Sequence, residues 1–110
     1  ALSVIRDNPK NDIYYSTGGG PEGVIVAAAL SCYGGQIQGR LVLNEEEKIR
    51  AKKLGIKNFD KKYNIEDMVS GDVIFCATGV TSGDLAKGVI DLGNEFEVTN
   101  FALHNNLVLW

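Results

Sequence analysis

The chain has 110 residues, 45% of them hydrophobic and 23% charged, as in one soluble globular domain or a piece of a larger one. Fourteen acidic against eleven basic residues give a net charge of −3, which excludes the basic footprint of a nucleic-acid binder. Thirteen glycines show no Gly-X-Y period, so collagen is excluded as well. No apolar run reaches the roughly 18–20 residues of a membrane helix, and no basic segment leads into an apolar stretch at the start. No membrane contact and a cytoplasmic location are therefore expected. Cys32 and Cys76 lie in apolar stretches and are expected to be reduced, buried packing residues.

The expected elements alternate strand and helix. Residues 12–16, with Ile13, Tyr14 and Tyr15, read as a short strand. A glycine-rich turn follows, and then residues 24–33 read as a helix, with Pro21 suited to the first helical position and Gly34-Gly35 as the stop. This helix is apolar on nearly every face and is expected to be enclosed by other elements. Residues 36–43 read as a strand. A second helix starts at the cap Asn44, with Glu47 completing a capping box and Gly55 ending it. Its Glu46 and Arg50, four apart, are expected to face each other across a solvated, charged surface.

Residues 55–63 read as a loop and 65–69 as one helical turn. Residues 72–78 carry Val73, Ile74, Phe75, Cys76 and Ala77 without polar alternation, the pattern of a central strand covered on both sides. A turn at 79–83 leads to an expected helix at 84–92, with Thr81 and Asp84 in capping positions. Residues 95–103 read as a strand whose two alternating halves differ in parity, so a bulge is expected near Asn100. A turn at Asn105-Asn106 precedes a last strand at 107–110. The order implies a single α/β domain over residues 1–110, with a mostly parallel or mixed sheet flanked by helices. The start at Ala1 without methionine and the apolar ending at Trp110 suggest a fragment or a processed chain.

Two segments could carry chemistry. In Thr17-Gly18-Gly19-Gly20-Pro21-Glu22-Gly23, bare glycines let a ligand approach the backbone, and the following helix start suits phosphate. Glu22 sits where the helix dipole stabilises a carboxylate, and it could hold Mg²⁺ or Mn²⁺ through oxygen. The competing reading is an ordinary turn whose glutamate only complements the dipole. Neither a Walker A loop nor a dinucleotide fingerprint is present. The second segment, Ala77 to Asp84, offers the hydroxyls of Thr78, Thr81 and Ser82 and the carboxylate of Asp84, or is simply a capped turn. On a parallel sheet both segments would share the strand-end edge where ligands collect. His104 has no evident partner and reads as structural or exposed; Tyr14, Tyr15 and Tyr33 read as core, and Ser31 lacks a nucleophile elbow.

Three motifs match a known family in order and spacing over roughly residues 10–95. They are the Tyr15 to Val24 segment with its small-residue helix, Gly34-Gly35-Gln36-Ile37-Gln38-Gly39-Arg40-Leu41, and the Val73 to Leu85 segment. Together they resemble the C-terminal half of class II (GlpX-type) fructose-1,6-bisphosphatases, in the lithium-sensitive, metal-dependent phosphatase superfamily. The resemblance implies a layered α/β sugar-phosphatase fold whose N-terminal metal-binding half is absent here. It implies hydrolysis of the 1-phosphate of fructose 1,6-bisphosphate to fructose 6-phosphate with Mn²⁺ or Mg²⁺, in gluconeogenesis and glycerol metabolism. Some relatives also take sedoheptulose 1,7-bisphosphate. For the full-length protein a homo-oligomer is expected.

By that resemblance Glu22 matches the family's metal-binding glutamate and Gly19 a glycine whose backbone touches substrate; no catalytic residue is carried over. The isolated chain is expected to be inactive, since the other ligands of a metal pair lie outside it. Gly20 stands where the family has alanine, residues 44–64 match weakly, and residues 101–110 differ from the basic segment of bacterial relatives. The alternative is a non-catalytic α/β domain that binds a phosphate ligand or a partner.

Overall fold

Glycine, proline and asparagine set the limits of the helices. In the structure, a computed structural model that describes residue 4 and residues 11–106, helix α1 spans Gly20–Tyr33. Pro21 lies in its first turn, where a missing N–H costs nothing. Gly34 ends it in the left-handed region at φ 69°, donating its N–H to the Leu30 carbonyl. The helix begins four residues ahead of the expected start, because Gly20 to Gly23 join it instead of staying in the turn. Strand β1 (Gln38–Gly39) replaces the longer strand expected at 36–43. Helix α2 (Glu45–Lys53) carries the expected capping box: Glu47 N–H donates to Asn44 Oδ1 at 2.9 Å, and Asn44 N–H donates to Glu47 Oε2 at 2.8 Å. Its ion pair is Glu45–Lys48 at 2.7 Å instead of Glu46–Arg50, and Lys48 holds the Glu45 carboxyl below its ordinary range.

Strand β2 (Tyr63–Asn64) pairs antiparallel with β1 and leads straight into the one-turn helix α3 (Ile65–Met68). Strand β3 (Ile74–Thr78) follows, then β4 (Ile90–Asp91), β5 (Phe96–Glu97) and β6 (Asn100–His104). β3 pairs antiparallel with β6 from Ile74↔His104 to Thr78↔Asn100, and β4 with β5 as a short hairpin. The α/β composition stands. Among the described residues, however, all pairs are antiparallel and two-stranded, and no parallel sheet is formed. Parallel strands need long crossovers and cover on both faces, and the helix that would have served as crossover at 84–92 is instead a loop running into β4. Residues 12–16 form no strand either, for they find no partner to pair with among the described residues. The parity change in 95–103 appears as a break at Val98-Thr99 between β5 and β6, where a bulge was expected. The strand expected at 107–110 lies outside the described residues.

The core is small. α1 packs on β3, β6 and α3, burying Ala27, Ala29 and Leu30, and α2 adds Ala51. One face of the β3–β6 pair, with Phe75, Ala77, Phe101 and Leu103, is half-buried, and the Phe75 and Phe101 rings meet at 6.0 Å between centroids. The other face is open. Residues 26–32 of α1 are buried or half-buried on every side, as expected, but Val24 and Ile25 in its first turns and Tyr33 at its end are exposed, as are Tyr14 and Tyr15, which were expected to be core. Both cysteines are free thiols, but Cys32 is half-buried and Cys76 exposed instead of buried. No helix among the described residues is long and apolar enough to cross a membrane.

The β2–α3 corner is held by charge. Lys61 Nζ reaches Asp67 Oδ1 at 2.6 Å and lies 4.8 Å from the Tyr63 ring centroid, while Asn64 N–H donates to Asp67 Oδ2 at 2.9 Å. The Lys61 hydrogen bond, then the Asn64 N–H, hold the Asp67 carboxyl below its ordinary range. A depressed folded-state value means that this contact stabilises the corner above the ordinary aspartate range and is lost as pH falls through the lowered value. A carboxyl-detected NMR titration should place the Asp67 midpoint below that of an unstructured aspartate, and Lys61→Ala should raise it. A midpoint unmoved by that substitution would assign the whole effect to the Asn64 N–H.

Candidate functional site

The glycine run and the helix it opens form one local unit. Gly19 is the residue before the first turn of α1, with extended backbone at φ −68°, and its carbonyl accepts the N–H of Gly23 at 3.1 Å. No side chain caps the helix, and Pro21 offers no donor, so the remaining first-turn N–H groups stay open. Glu22 is exposed, and its carboxylate folds back over Gly19. A Cβ placed on Gly19 would collide with Glu22 Oε2 and stand 3.1 Å from Cδ.

Gly18 and Gly20 have nothing within 4 Å of such an atom. Of the three consecutive glycines, only Gly19 has its missing side chain replaced by another group. The two residues matched to the family's site are thus brought together. Their mutual contact was not anticipated, although their spacing of three is that of a capping box with glycine in place of serine.

Among the described residues no Lys or Arg forms an ion pair with Glu22. Nor do three His, Cys, Asp or Glu side chains gather there as a metal-ligand group. Mg²⁺ and its like take about six oxygens, so the described residues offer one ligand at this turn and do not make a metal site by themselves.

The second segment has a different shape from the one expected. Residues 79–89 form a loop closed by Val89 N–H to Val80 O at 3.1 Å, with Gly83 N–H to Ala86 O at 3.0 Å across its tip. The Ser82 hydroxyl accepts Gly88 N–H at 2.9 Å and is engaged in the loop itself. Two buried glycines let backbone cross backbone. A Cβ on Gly79 would strike the Lys87 carbonyl, and one on Gly88 would stand 2.7 Å from Ser82 N. Thr78, Thr81 and Asp84 are exposed. No hydrogen bond or ion pair among the described residues joins this loop to residues 17–23. The shared ligand edge rested on parallel strands, and the strand pairs are antiparallel.

His104 is exposed, with Nδ1 accepting Asn106 N–H at 3.0 Å, and Ser31 Oγ donates to the Ala28 carbonyl at 2.7 Å. Neither is poised for catalysis. A solvent-open hollow of about 270 Å³, bounded by Ser31, Gly34, Ile65, Glu66 and Asn105, lies at the far end of α1. That is about 18 Å along the helix from Glu22.

A family model described as bacterial fructose-1,6-bisphosphatase, glpX-encoded, matches residues 1–107. The chain belongs to that family. It is 35% identical over 108 aligned residues to fructose-1,6-bisphosphatase 2 class 2 of Escherichia coli K12, a match covering 84% of this chain and 33% of that protein. It is 43% identical over 86 residues to the D-fructose 1,6-bisphosphatase class 2/sedoheptulose 1,7-bisphosphatase of Synechococcus sp. JA-3-3Ab, covering 66% of this chain and 25% of the relative. The chain therefore spans a quarter to a third of the length of these curated relatives.

The glycines of the two segments should respond oppositely to alanine. Gly79→Ala sets a side chain against backbone and should destabilise the chain by about 1–3 kcal/mol. At Gly19 the backbone already suits any residue and the obstacle is the end of a mobile side chain, so Gly19→Ala should cost under about 0.5 kcal/mol. It should nonetheless move the Glu22 side-chain carbonyl resonance. Urea unfolding and NMR of the two variants check both halves.

Proposed function

We propose that this chain is the part of a fructose-1,6-bisphosphatase that supplies Glu22 as one ligand of a catalytic Mn²⁺ or Mg²⁺ and Gly19 as backbone against the substrate. The reaction is hydrolysis of the 1-phosphate of fructose 1,6-bisphosphate to fructose 6-phosphate. The observation that supports this reading is the Glu22 carboxylate folded over bare Gly19 at an uncapped helix start, in a chain of this family. Open N–H groups and the positive end of α1 favour an anionic phosphate at this turn. A carboxylate and a phosphate repel each other, so they share one turn only with positive charge between them. Gly19 keeps the space over the turn free of any side chain that would push the carboxylate aside.

The names of the Synechococcus relatives join sedoheptulose 1,7-bisphosphate to the substrate class. Both compounds present a phosphate at carbon 1, and the turn reads the phosphate without reading the length of the sugar. The reading places the full-length enzyme in the cytoplasm, in gluconeogenesis, as a homo-oligomer.

In a full-length enzyme carrying this chain, Glu22→Gln should lower metal-dependent phosphate release at least about a hundredfold, since a direct ligand matters no less than the groups that orient one. The urea midpoint should stay unchanged. The 110-residue chain alone should release no phosphate from fructose 1,6-bisphosphate. Turnover that survives Glu22→Gln would remove Glu22 from the site and favour a non-catalytic ligand-binding domain. Release by the chain alone would place a complete ligand set within it.

A further inference from the structure

The outer face of β3–β6 is left bare by the described residues. It presents Ile74, Cys76 and Thr78 beside Asn100, Ala102 and His104, all exposed and none of them Lys, Arg, Asp or Glu. Ile74 is 68% exposed. The sequence of β3 lacks the polar alternation of a strand with one wet side, so its composition suits cover on both faces. Its edges are as unguarded as its face. Neither strand carries the lysine or proline with which exposed edges resist further pairing.

We propose that this face is covered by the remaining polypeptide of the longer enzyme, packed on Ile74, Cys76 and Ala102 as an apolar layer of the same molecule. Relatives of about three times this length contain the chain needed to supply that layer. A second copy is the weaker occupant on grounds of area. Two strands of five residues present a footprint of about 160 Å², whereas a stable protein–protein contact buries about 800 Å² per partner. Within one polypeptide the layer is held at high effective concentration, so a small face suffices. The inference rests on family membership and on the strand pair, and it is independent of the assignment of Glu22.

Cys76 reports directly on the cover. In a Cys32→Ser background it is the chain's single thiol. Its reaction with a maleimide is to be timed in the isolated chain and in a chimera in which this chain replaces the matching third of the Escherichia coli relative, with that protein's own cysteines replaced by serine. In the isolated chain Cys76 should react quickly, at a rate independent of protein concentration. In the chimera it should react at least about tenfold more slowly, because the strand must first open, and recover the fast rate in urea.

Equal rates in the isolated chain and in a chimera that unfolds cooperatively would overturn the proposal. Protection that grows with concentration in the isolated chain would also overturn it, in favour of a second copy, whether or not the chimera folds. A chimera that fails to fold with wild-type Ile74 and Ala102, yet folds when both are aspartate, would show a solvent-facing surface and overturn it too. Phosphatase activity enters none of these readouts, so loss of the Glu22 reading leaves them intact.

Discussion

Small side chains in the middle of α1 let its neighbours, the β3–β6 pair and α3, close around the helix, and the rest of the chain is arranged around that contact. Ala27 and Ala29 are fully buried and Leu30 nearly so. Burying one leucine stabilises by about 1.5–3 kcal/mol, while the alanines contribute chiefly by permitting approach. The Cys32 thiol then lies 3.9 Å from the Val73 carbonyl, which sets the C-terminal end of α1 at the entrance to β3. Because the helix is rigid, seating that end fixes where the other end presents its open N–H groups and Glu22. The position of the candidate site is thus decided by alanines one to two turns away from Glu22.

What could be read from the sequence was largely local chemistry. The Asn44–Glu47 box, the Gly34 stop and the one-turn α3 depend on neighbours within four residues, and all are present. The helix expected at 84–92 had local signals too, with Thr81 and Asp84 spaced as a cap and Leu85, Val89 and Leu92 on one side. Those signals gave way to a contact between residues distant in sequence. Gly79 and Gly88 let the backbone cross itself, and the Val80–Val89 hydrogen bond closes a loop that no helical segment could close. The strand expected at 12–16 failed for the complementary reason, since strand propensity without a partner makes no ladder.

At the candidate site, residue types and spacing pointed to Glu22 and the glycine run, and the family resemblance to Gly19, but none of them to the contact between the two. That contact depends on the rotamer of one glutamate, and composition is silent on rotamers. The pattern read as two-sided burial in β3 describes an environment that the described residues do not supply. Sequence pattern and accessible surface part company at the two ends of α1 and on the outer face of β3–β6.

The pinch at Gly79 and Gly88 has an engineering consequence. Apart from Ser82 Oγ and Ala86 Cβ, its contacts are made by main-chain atoms, so the stem is indifferent to the identity of Asp84 and Leu85 at the tip. Foreign peptides of equal length could be displayed there without disturbing the scaffold. By the same logic, natural descendants are free to vary the tip's chemistry while inheriting its shape.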